Sequence, residues 1–471
     1  MLLVLIFFGL FNRMYMVIQY RSVDYIIEIF IAGISALLVY KIYKSDFFRI
    51  DKRKYLKGIL VAGLVLRVIM SAHDFYNRPV QTSDYEKHER LGARIAFENR
   101  YYDFTGIELY NYRQPGLPFI FAVGLLIVND PFTCAVIMML FSFGVIVSGY
   151  YLFKDYVNTG GIISFAYLCL SPNMLFMASN SNTQLPFFFF LILLFIVLKN
   201  YSGKTYQLIF IGILAACEIY IRFNFLMLLI LIPFIIQKHS DRKLIYSAGK
   251  LGLIFLTCFI VYSPWIYRNY LIYGTVRIMP TLGLNLYSST LAKDYTKAGG
   301  YSGVPEEVLK KYSNLSEIEF DKALKEDVYK FIKENPVTYL KGIPFKIFKY
   351  SGRQDWTITY FFDNTLTKYP EFAEDLLMGI ENFFFWVILF FPLLYLFKIR
   401  KSGGFAALPV YMLWSYLTYT MAVMPGSETR ARYNFPYILF PVFAVAFIDR
   451  QKNDEVKEAE EKINEEKGNG L

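Results

Sequence analysis

Residues 132–153 read FTCAVIMMLFSFGVIVSGYYLF, and this stretch decides the fold class of the chain. It contains no charged residue, and as an α-helix it would extend about 33 Å at about 1.5 Å per residue. The hydrocarbon core of a bilayer is about 30 Å thick, so the run is long enough to cross it. Comparable apolar runs predict further spanning helices at about 2–20 (the weakest, interrupted by Asn12 and Arg13), 23–43, 58–73, 160–178, 184–199, 206–221, 224–238, 250–266, 381–398, 404–424 and 432–448.

The composition also indicates a membrane protein. Of the 471 residues, 55% are hydrophobic and 19% are aromatic, which excludes an ordinary soluble domain. The net charge of +10 comes largely from lysines and arginines in short loops between apolar runs, a pattern that orients membrane proteins and does not favour nucleic acid as a partner. No small-residue cleavage site follows the first apolar run, so we expect a retained anchor. The cysteines lie inside apolar runs and are expected to be buried and structural: Cys134, Cys169, Cys217 and Cys258.

The basic loops predict the topology. Residues 41–57, 199–204, 238–250, 398–401 and 450–452 are rich in lysine and arginine and should be cytoplasmic. The apolar run 116–129 would invert this scheme if it crossed the membrane, but as a helix it covers only about 21 Å. We therefore expect an in-plane or re-entrant helix on the outer face. Residues 74–131, the turn near 179–184 and residues 268–380 then lie outside.

The predicted fold is an all-α polytopic membrane protein with about 11–12 transmembrane helices and amphipathic helices on its outer face. We divide the chain into anchor helices with a cytoplasmic basic loop (1–57), a membrane core expected to carry the catalytic site (58–267), an outer helical region (268–380), C-terminal membrane helices (381–448) and a charged cytoplasmic tail (449–471). In the outer region, Asn335-Pro336 should end one helix and begin the next. Apolar residues recur there at helical spacing: Ile318, Phe320, Leu324, Val328, Phe331 and Ile332.

Two charged residues near the outer boundary are the first candidates for chemistry. Asp84 follows the 58–73 run and precedes an amphipathic stretch, so its carboxylate could serve as a general base. The alternative is a helix N-cap formed by Ser83 or Asp84. Arg222 lies between two apolar runs, where a guanidinium could bind a lipid phosphate. The alternative there is an i,i+4 ion pair with Glu218.

Other polar residues near this boundary have alternative roles. Arg67 is expected to snorkel to the headgroups, and Arg268 with Asn269 should end the 250–266 span on the outer side. The cluster of Glu428, Arg430 and Arg432 could anchor the interface or bind an anionic headgroup. No phosphate-binding GxxxxGK[ST], HExxH or CxxC motif occurs, and the three histidines are too scattered for a typical zinc site.

In order and spacing, several short motifs over residues 58–448 resemble those of the integral-membrane glycosyltransferases of the GT-C fold. The likeness is to bacterial members related to protein O-mannosyltransferases and to the aminoarabinose transferase that modifies lipid A. The motifs are Ser83-Asp84 followed by Ala96, Pro115-Gly116-Leu117-Pro118, Pro264 to Tyr270, Gly283-Leu284-Asn285-Leu286-Tyr287, and Glu428, Arg432, Tyr433 and Pro436.

The resemblance implies an inverting transferase in the cell membrane that takes its sugar from a polyprenyl phosphate on the extracytoplasmic side. Asp84 would be the base, and the 268–380 region would help to choose an acceptor on a protein, a lipid or a glycan. Arg222 occupies the place of a basic residue near the carrier phosphate. The expected substrate-binding residues are Arg113, Arg222, Arg268, Asn269, Glu428, Arg430, Arg432 and Tyr433.

Two departures from the family pattern bear on metal chemistry. Asp84 is followed by Tyr85 where the protein-modifying mannosyltransferases have glutamate, and Gln184 stands where many relatives have an acidic residue. We therefore expect metal-independent chemistry without a cofactor. Two other functions stay open: a transporter or flippase for lipid-linked sugars, and a cell-surface glycan polymerase.

Overall fold

The structure is a computed structural model. It describes residues 23–44, 52–77, 80–101, 103–104, 108–109, 113–155, 159–222, 244–274, 276, 282–291, 304–350 and 356–392, together with short pieces between 6 and 18. In these residues the fold is almost entirely helical. The helices are α1 (Val23–Lys44), α2 (Lys52–Asn77), α3 (Ser83–Ala93), α4 (Gly116–Ile127), α5 (Phe132–Phe153), α6 (Thr159–Leu170), α7 (Pro172–Phe176), α8 (Gln184–Lys199), α9 (Thr205–Ile221), α10 (Leu244–Tyr273), α11 (Leu282–Thr290), α12 (Glu306–Lys311), α13 (Glu317–Glu334), α14 (Pro336–Tyr350), α15 (Trp356–Asn364) and α16 (Glu371–Phe390).

Short irregular elements complete the described chain. A π-helical turn, Arg94–Glu98, continues α3, and a 3-10 turn, Met177–Ser179, continues α7. Two antiparallel strands of two residues each, β1 (Asp103–Phe104) and β2 (Glu108–Leu109), form a hairpin between α3 and α4. The hairpin is too small to form a core, so the fold rests on packing between helices.

Among the described residues, three helical stretches are long and apolar enough to cross a membrane: Lys54–Asn77 in α2, all of α5, and Gly249–Tyr273 in α10. A fourth candidate is the pair α6 and α7 with its 3-10 turn, which is bent by 46°. Helices α4, α8 and α9 are apolar but shorter. α4 has 12 residues and so covers about 18 Å, less than a bilayer needs.

Exposed tyrosines mark both ends of these helices. Tyr76 and Tyr267 lie near the ends of α2 and α10, and they are 79% and 63% exposed. Tyr55, Tyr151 and Tyr206 are exposed at the opposite helix ends. Tyr55 and Tyr76 lie on one helix about 31 Å apart at about 1.5 Å per residue, which matches the thickness of a hydrocarbon core. Tyrosine is enriched at both surfaces of a membrane, so the two groups are typical of a bilayer-spanning bundle.

The break between α6 and α7 follows from Pro172. In a continuous helix the carbonyl oxygen of Leu168 would accept from the backbone N–H of residue 172, but proline has no N–H. Arg67 of α2 replaces that donor: its Nη2 donates to Leu168 O at 2.7 Å, and its Nη1 donates to Cys169 O at 2.7 Å. Nε donates to Ser142 Oγ at 3.0 Å. The guanidinium is 1% exposed, so the expectation that Arg67 snorkels to the headgroups was wrong.

A buried carboxylate satisfies the other side of the same break. Oε2 of Glu381 in α16 accepts from the Asn173 backbone N–H at 3.1 Å and from Ser171 Oγ at 2.6 Å. Its Oε1 accepts from the Tyr167 hydroxyl at 2.7 Å. The carboxylate therefore lies at the N-terminal end of α7 and the arginine at the C-terminal end of α6, the arrangement that the helix dipoles favour.

In the predicted outer region, helices α11, α12 and α13 pack around a small apolar core, and the Tyr273 hydroxyl at the end of α10 donates to Glu317 Oε2 at 2.6 Å. Helix α13 begins with a capping box in which Ser316 and Glu319 satisfy each other's backbone N–H groups; the hydrogen bonds from Ser316 lower the pKa of Glu319. α15 contacts the segment between α2 and α3: the Tyr360 hydroxyl accepts from the Thr82 N–H at 2.7 Å, and the Val80 N–H donates to Asn364 O at 2.9 Å. The predicted boundary at Asn335-Pro336 is present, since α13 ends and α14 begins there.

The predicted bounds agree with the structure in some places and not in others. The 132–153 and 184–199 runs are α5 and α8. The 160–178 run is broken after Leu170, and the run placed at 381–398 belongs to a helix that already begins at Glu371. The runs 224–238, 404–424 and 432–448 lie outside the described residues.

Removing the guanidinium at the break should destabilise the protein. Arg67→Gln leaves two buried carbonyl groups without donors, each costing about 1–3 kcal/mol, so we expect the free energy of unfolding to fall by about 3 kcal/mol or more. Arg67→Lys should recover only part of this loss, because a lysine lacks the fork that reaches both carbonyls. The measurement is unfolding by denaturing detergent. The control is the exposed Arg100→Gln, which should change the free energy by about 0.5 kcal/mol or less; an equal effect for both glutamine variants would contradict this account.

Candidate functional site

Asp84 lies in the first turn of α3 and forms an ion pair with Arg113. Nη2 of Arg113 donates to Asp84 Oδ1 at 2.7 Å, and the Asp84 side chain is 20% exposed. The N-cap position of α3 is occupied by Thr82, whose side chain makes no capping hydrogen bond. The alternative in which Ser83 or Asp84 is the N-cap is therefore wrong. A carboxylate in the first turn still has a favourable interaction with the helix dipole.

Tyr101 joins this ion pair to the end of α10. Its hydroxyl donates to the backbone carbonyl of Arg113 at 2.8 Å, and its own backbone carbonyl accepts from Nη2 of Arg268 at 2.8 Å. The Arg268 guanidinium lies 5.3 Å from the centroid of the Tyr101 ring and 4.6 Å from that of Trp265. Stacking on two aromatic rings holds a guanidinium in one orientation.

Asn269 fixes the same arginine from its own helix. Nη1 of Arg268 donates to Asn269 Oδ1 at 2.9 Å, and Asn269 is fully buried. Both residues lie inside α10, which continues to Tyr273. The predicted 250–266 span, ended by Arg268 and Asn269, is shorter than the candidate span in the structure, Gly249–Tyr273, which includes both residues.

Arg222 lies at the end of α9, beside the start of α4. A Cβ atom added to Gly116 would lie 2.7 Å from the carbonyl carbon and oxygen of Tyr220 and 2.9 Å from the backbone nitrogen of Ile221. Only a glycine permits this approach, and it brings the segment that carries Arg113 against the residues that precede Arg222. Arg222 is 7% exposed, and its guanidinium lies 5.8 Å from the ring centroid of Phe187 in α8.

Glu218 does not neutralise Arg222 through a hydrogen bond. Its carboxylate is fully buried, and neither oxygen has a hydrogen-bond partner in the part of the chain that the structure describes. The backbone N–H of Arg222 donates to Glu218 O at 2.7 Å, so the two residues share the last turn of α9. The predicted i,i+4 pair is therefore not formed as a hydrogen-bonded bridge, although the two groups interact electrostatically.

The polar turn after α7, residues 179–182, holds α3 at a second point. The Gln81 side chain donates to Ser179 O at 3.0 Å and accepts from the Ser181 backbone at 3.2 Å, while the Ser181 hydroxyl donates to Glu89. Residues 179–182 are buried although all are polar. α3 is thus held at two points, at Asp84 by Arg113 and at Glu89 by Ser181.

The structure brings four of the sequence-predicted site residues into one network. Asp84, Arg113, Arg268 and Asn269 are joined directly or through Tyr101, and Arg222 lies at the adjoining helix end. The remaining predicted residues lie outside the described residues: Glu428, Arg430, Arg432 and Tyr433. Tyr101 was missed because nothing in the sequence distinguishes it from its aromatic neighbours.

The amino-acid sequence matches no protein-family model and no curated protein. In the described residues no group of three or more histidine, cysteine, aspartate or glutamate side chains could hold a metal ion, and metal-independent chemistry stays a prediction. The assignment of a function therefore depends on the geometry of the network.

The close approach at Gly116 gives a direct test of the network. Gly116→Ala should force α4 and α9 apart, because the new methyl group would meet backbone atoms, and overpacking of this kind costs about 1–3 kcal/mol. The control is Gly252→Ala in α10, where no atom lies within 4 Å of the added Cβ; alanine there should be neutral or slightly stabilising. Detergent-induced unfolding measures both variants, and equal stability of the two would contradict the described contact.

Proposed function

We propose that this chain is a membrane glycosyltransferase that moves a sugar from a polyprenyl phosphate to an acceptor hydroxyl. The observation that carries the proposal is the joining of Asp84, Arg113 and Arg268 through Tyr101, beside the helix end that holds Arg222. Ionisable side chains buried within a membrane-spanning bundle are rare and mark functional sites by default. The resemblance to GT-C glycosyltransferases supports the same assignment, including a polytopic fold of about 11–12 spanning helices.

Asp84 is the proposed general base. It is partly exposed, so an acceptor can reach it, and Arg113 both fixes its direction and stabilises its charge. The acceptor oxygen attacks the anomeric carbon of the donor while Asp84 takes the hydroxyl proton. The bond from that carbon to the phosphate oxygen breaks at the same time, and the phosphate leaves with the electron pair. Attack opposite the leaving group inverts the configuration at the anomeric carbon.

Arginines on α9 and α10 are the proposed phosphate ligands. Guanidinium groups bind phosphate oxygens through two parallel hydrogen bonds and stabilise the charge that develops on the leaving group. Arg222 lies at an apolar helix end, where a lipid tail would lie in the bilayer while its phosphate stays at the boundary. Arg268, whose guanidinium lies against the rings of Tyr101 and Trp265, is the second candidate.

The lysines at one end of the bundle support a particular orientation of the protein in the membrane. The end that carries Tyr151 and Tyr206 also carries Lys154, Lys199 and Lys204, and lysine-rich short loops are typical of the cytoplasmic side. The Asp84 end would then face outward, in a multi-pass protein of the cell membrane. There a polyprenyl-linked donor serves in place of a nucleotide sugar, and the acceptor is a protein, a lipid or a glycan.

One feature favours a second candidate, a transporter or flippase for lipid-linked sugars. Broken helices with a charged residue at the break are frequent in transporters, and α6 and α7 with Arg67 and Glu381 have this form. Arg67 and Glu381 each bind backbone groups at these two helix ends, which favours a structural role. A flippase would move labelled lipid-linked sugar between leaflets without making a glycosidic bond. The other alternative, a glycan polymerase, would give products of many lengths.

Asp84→Asn should abolish transfer from a polyprenyl-phosphate sugar in proteoliposomes. Loss of a general base typically lowers the rate by about 10²–10⁴-fold, and asparagine keeps the shape needed to accept from Arg113. The matched control is Glu86→Gln on the same helix, whose side chain is 55% exposed and makes only a 3.6 Å contact with Arg90. It should retain activity. Full turnover by Asp84→Asn would remove Asp84 from the mechanism.

Arg222→Gln should raise the KM for the lipid-linked donor by about tenfold or more, the loss expected for one charge-assisted contact of about 1.5–3 kcal/mol. Arg222→Lys should restore part of the affinity because it keeps the charge but not the planar fork. Lys204→Gln, at the opposite end of α9, is the control and should leave KM unchanged. The measurement is KM, obtained from initial rates at varied donor concentration. An unchanged KM for Arg222→Gln would show that the phosphate binds elsewhere.

A further inference from the structure

Helix α14 exposes an apolar face. Val337 and Leu340 are 61% and 59% exposed, and Pro344 is exposed as well. Spacings of three and four residues place these side chains on one face of the helix. Thr338 is also exposed but lies on the opposite face. A soluble helix of this kind would normally turn such a face toward a core.

A basic residue lies beside this face, and two more precede it in the chain. Lys341 is exposed beside Leu340, and Lys330 and Lys333 are exposed on the preceding helix α13. Apolar side chains next to lysines are the pattern of helices that lie in the headgroup layer, where lysines reach phosphates and apolar groups enter the acyl boundary.

The C-terminal end of α14 is close in the chain to a helix that is bound at the end of α2. It ends at Tyr350, and α15 begins at Trp356, so the connection reaches at most about 20 Å at about 3.3–3.6 Å per residue. α15 and the residues after it are bound at the end of α2: the Thr367 hydroxyl donates to Asn77 Oδ1 at 2.9 Å. Asn77 follows Tyr76, the exposed tyrosine that marks this end of the bundle.

We infer that α14 lies flat on the lipid bilayer at the Asp84 end of the bundle, with Val337, Leu340 and Pro344 inserted and Lys341 against anionic headgroups. The helix is then a second attachment of the outer region to the membrane, besides its contacts with α2 and α3. This surface contact does not depend on the proposed transfer reaction.

The test uses an environment-sensitive fluorophore on a single introduced cysteine, in the full chain reconstituted into nanodiscs. Leu340→Cys reports the apolar face, and Thr338→Cys reports the opposite face of the same helix. The native cysteines are buried or half-buried, and labelling of the unsubstituted chain gives the background. The nanodiscs contain phosphatidylcholine alone or with phosphatidylglycerol, each with and without acyl chains brominated near the headgroup.

The probe at position 340 should emit at shorter wavelength and lose about half of its intensity to brominated lipid, since interfacial helices bury about 5–10 Å deep. The probe at 338 should behave as in water. Phosphatidylglycerol should increase quenching at 340, and Lys341→Glu should remove that increase. Water-like emission at both positions would overturn the inference. So would a shielded but unquenched probe at 340, which would indicate a protein surface, or equal quenching at both positions.

Discussion

The fold depends on how the bundle satisfies the break between α6 and α7. Pro172 interrupts the helix, and in a hydrocarbon layer no water is present to bind the freed backbone groups. Arg67 donates to the carbonyl oxygens of Leu168 and Cys169, and Glu381 accepts from the N–H of Asn173. These two side chains come from helices far apart in the sequence, so the break fastens α2 and α16 to the same point.

The break also determines where the polar turn after α7 lies. A bend of 46° directs the chain into the buried turn at residues 179–182, which hydrogen-bonds to Gln81 and Glu89. Those contacts hold α3, and α3 carries Asp84. On the other side, Gly116 brings α4 against the end of α9, next to Arg222. The proposed site is thus built by two close contacts, one made possible by a proline and one by a glycine.

The sequence alone predicted those helix boundaries that depend on local pattern. The apolar runs at 132–153 and 184–199 have the bounds of α5 and α8, and Asn335-Pro336 separates α13 from α14, because these signals lie within the elements themselves. Ser171-Pro172 was a usable signal for the break, since a serine before a proline is typical of an N-cap followed by the first helical residue. It was outweighed by the apolar character of the whole 160–178 run.

The contacts that build the site depend on distant partners, and no local pattern predicts them. Arg67 binds residues about a hundred positions away, and Asp84 and Arg113 are 29 positions apart. Tyr101 uses its hydroxyl and its backbone carbonyl to join two helices, and only the fold shows this. The candidate residues could be predicted from their charge near a membrane boundary, but their hydrogen-bond partners could not.

In the proposed function, one chamber at the Asp84 end of the bundle receives a lipid-linked phosphate. Electron cryo-microscopy of the protein in nanodiscs with a non-hydrolysable polyprenyl-phosphate sugar analogue tests this claim directly. We expect the phosphate within hydrogen-bond distance of Arg222 or Arg268, with the sugar between it and the Asp84 carboxylate. A phosphate bound at the lysine-rich end of the bundle, or Asp84 separated from it by packed protein, would contradict the account.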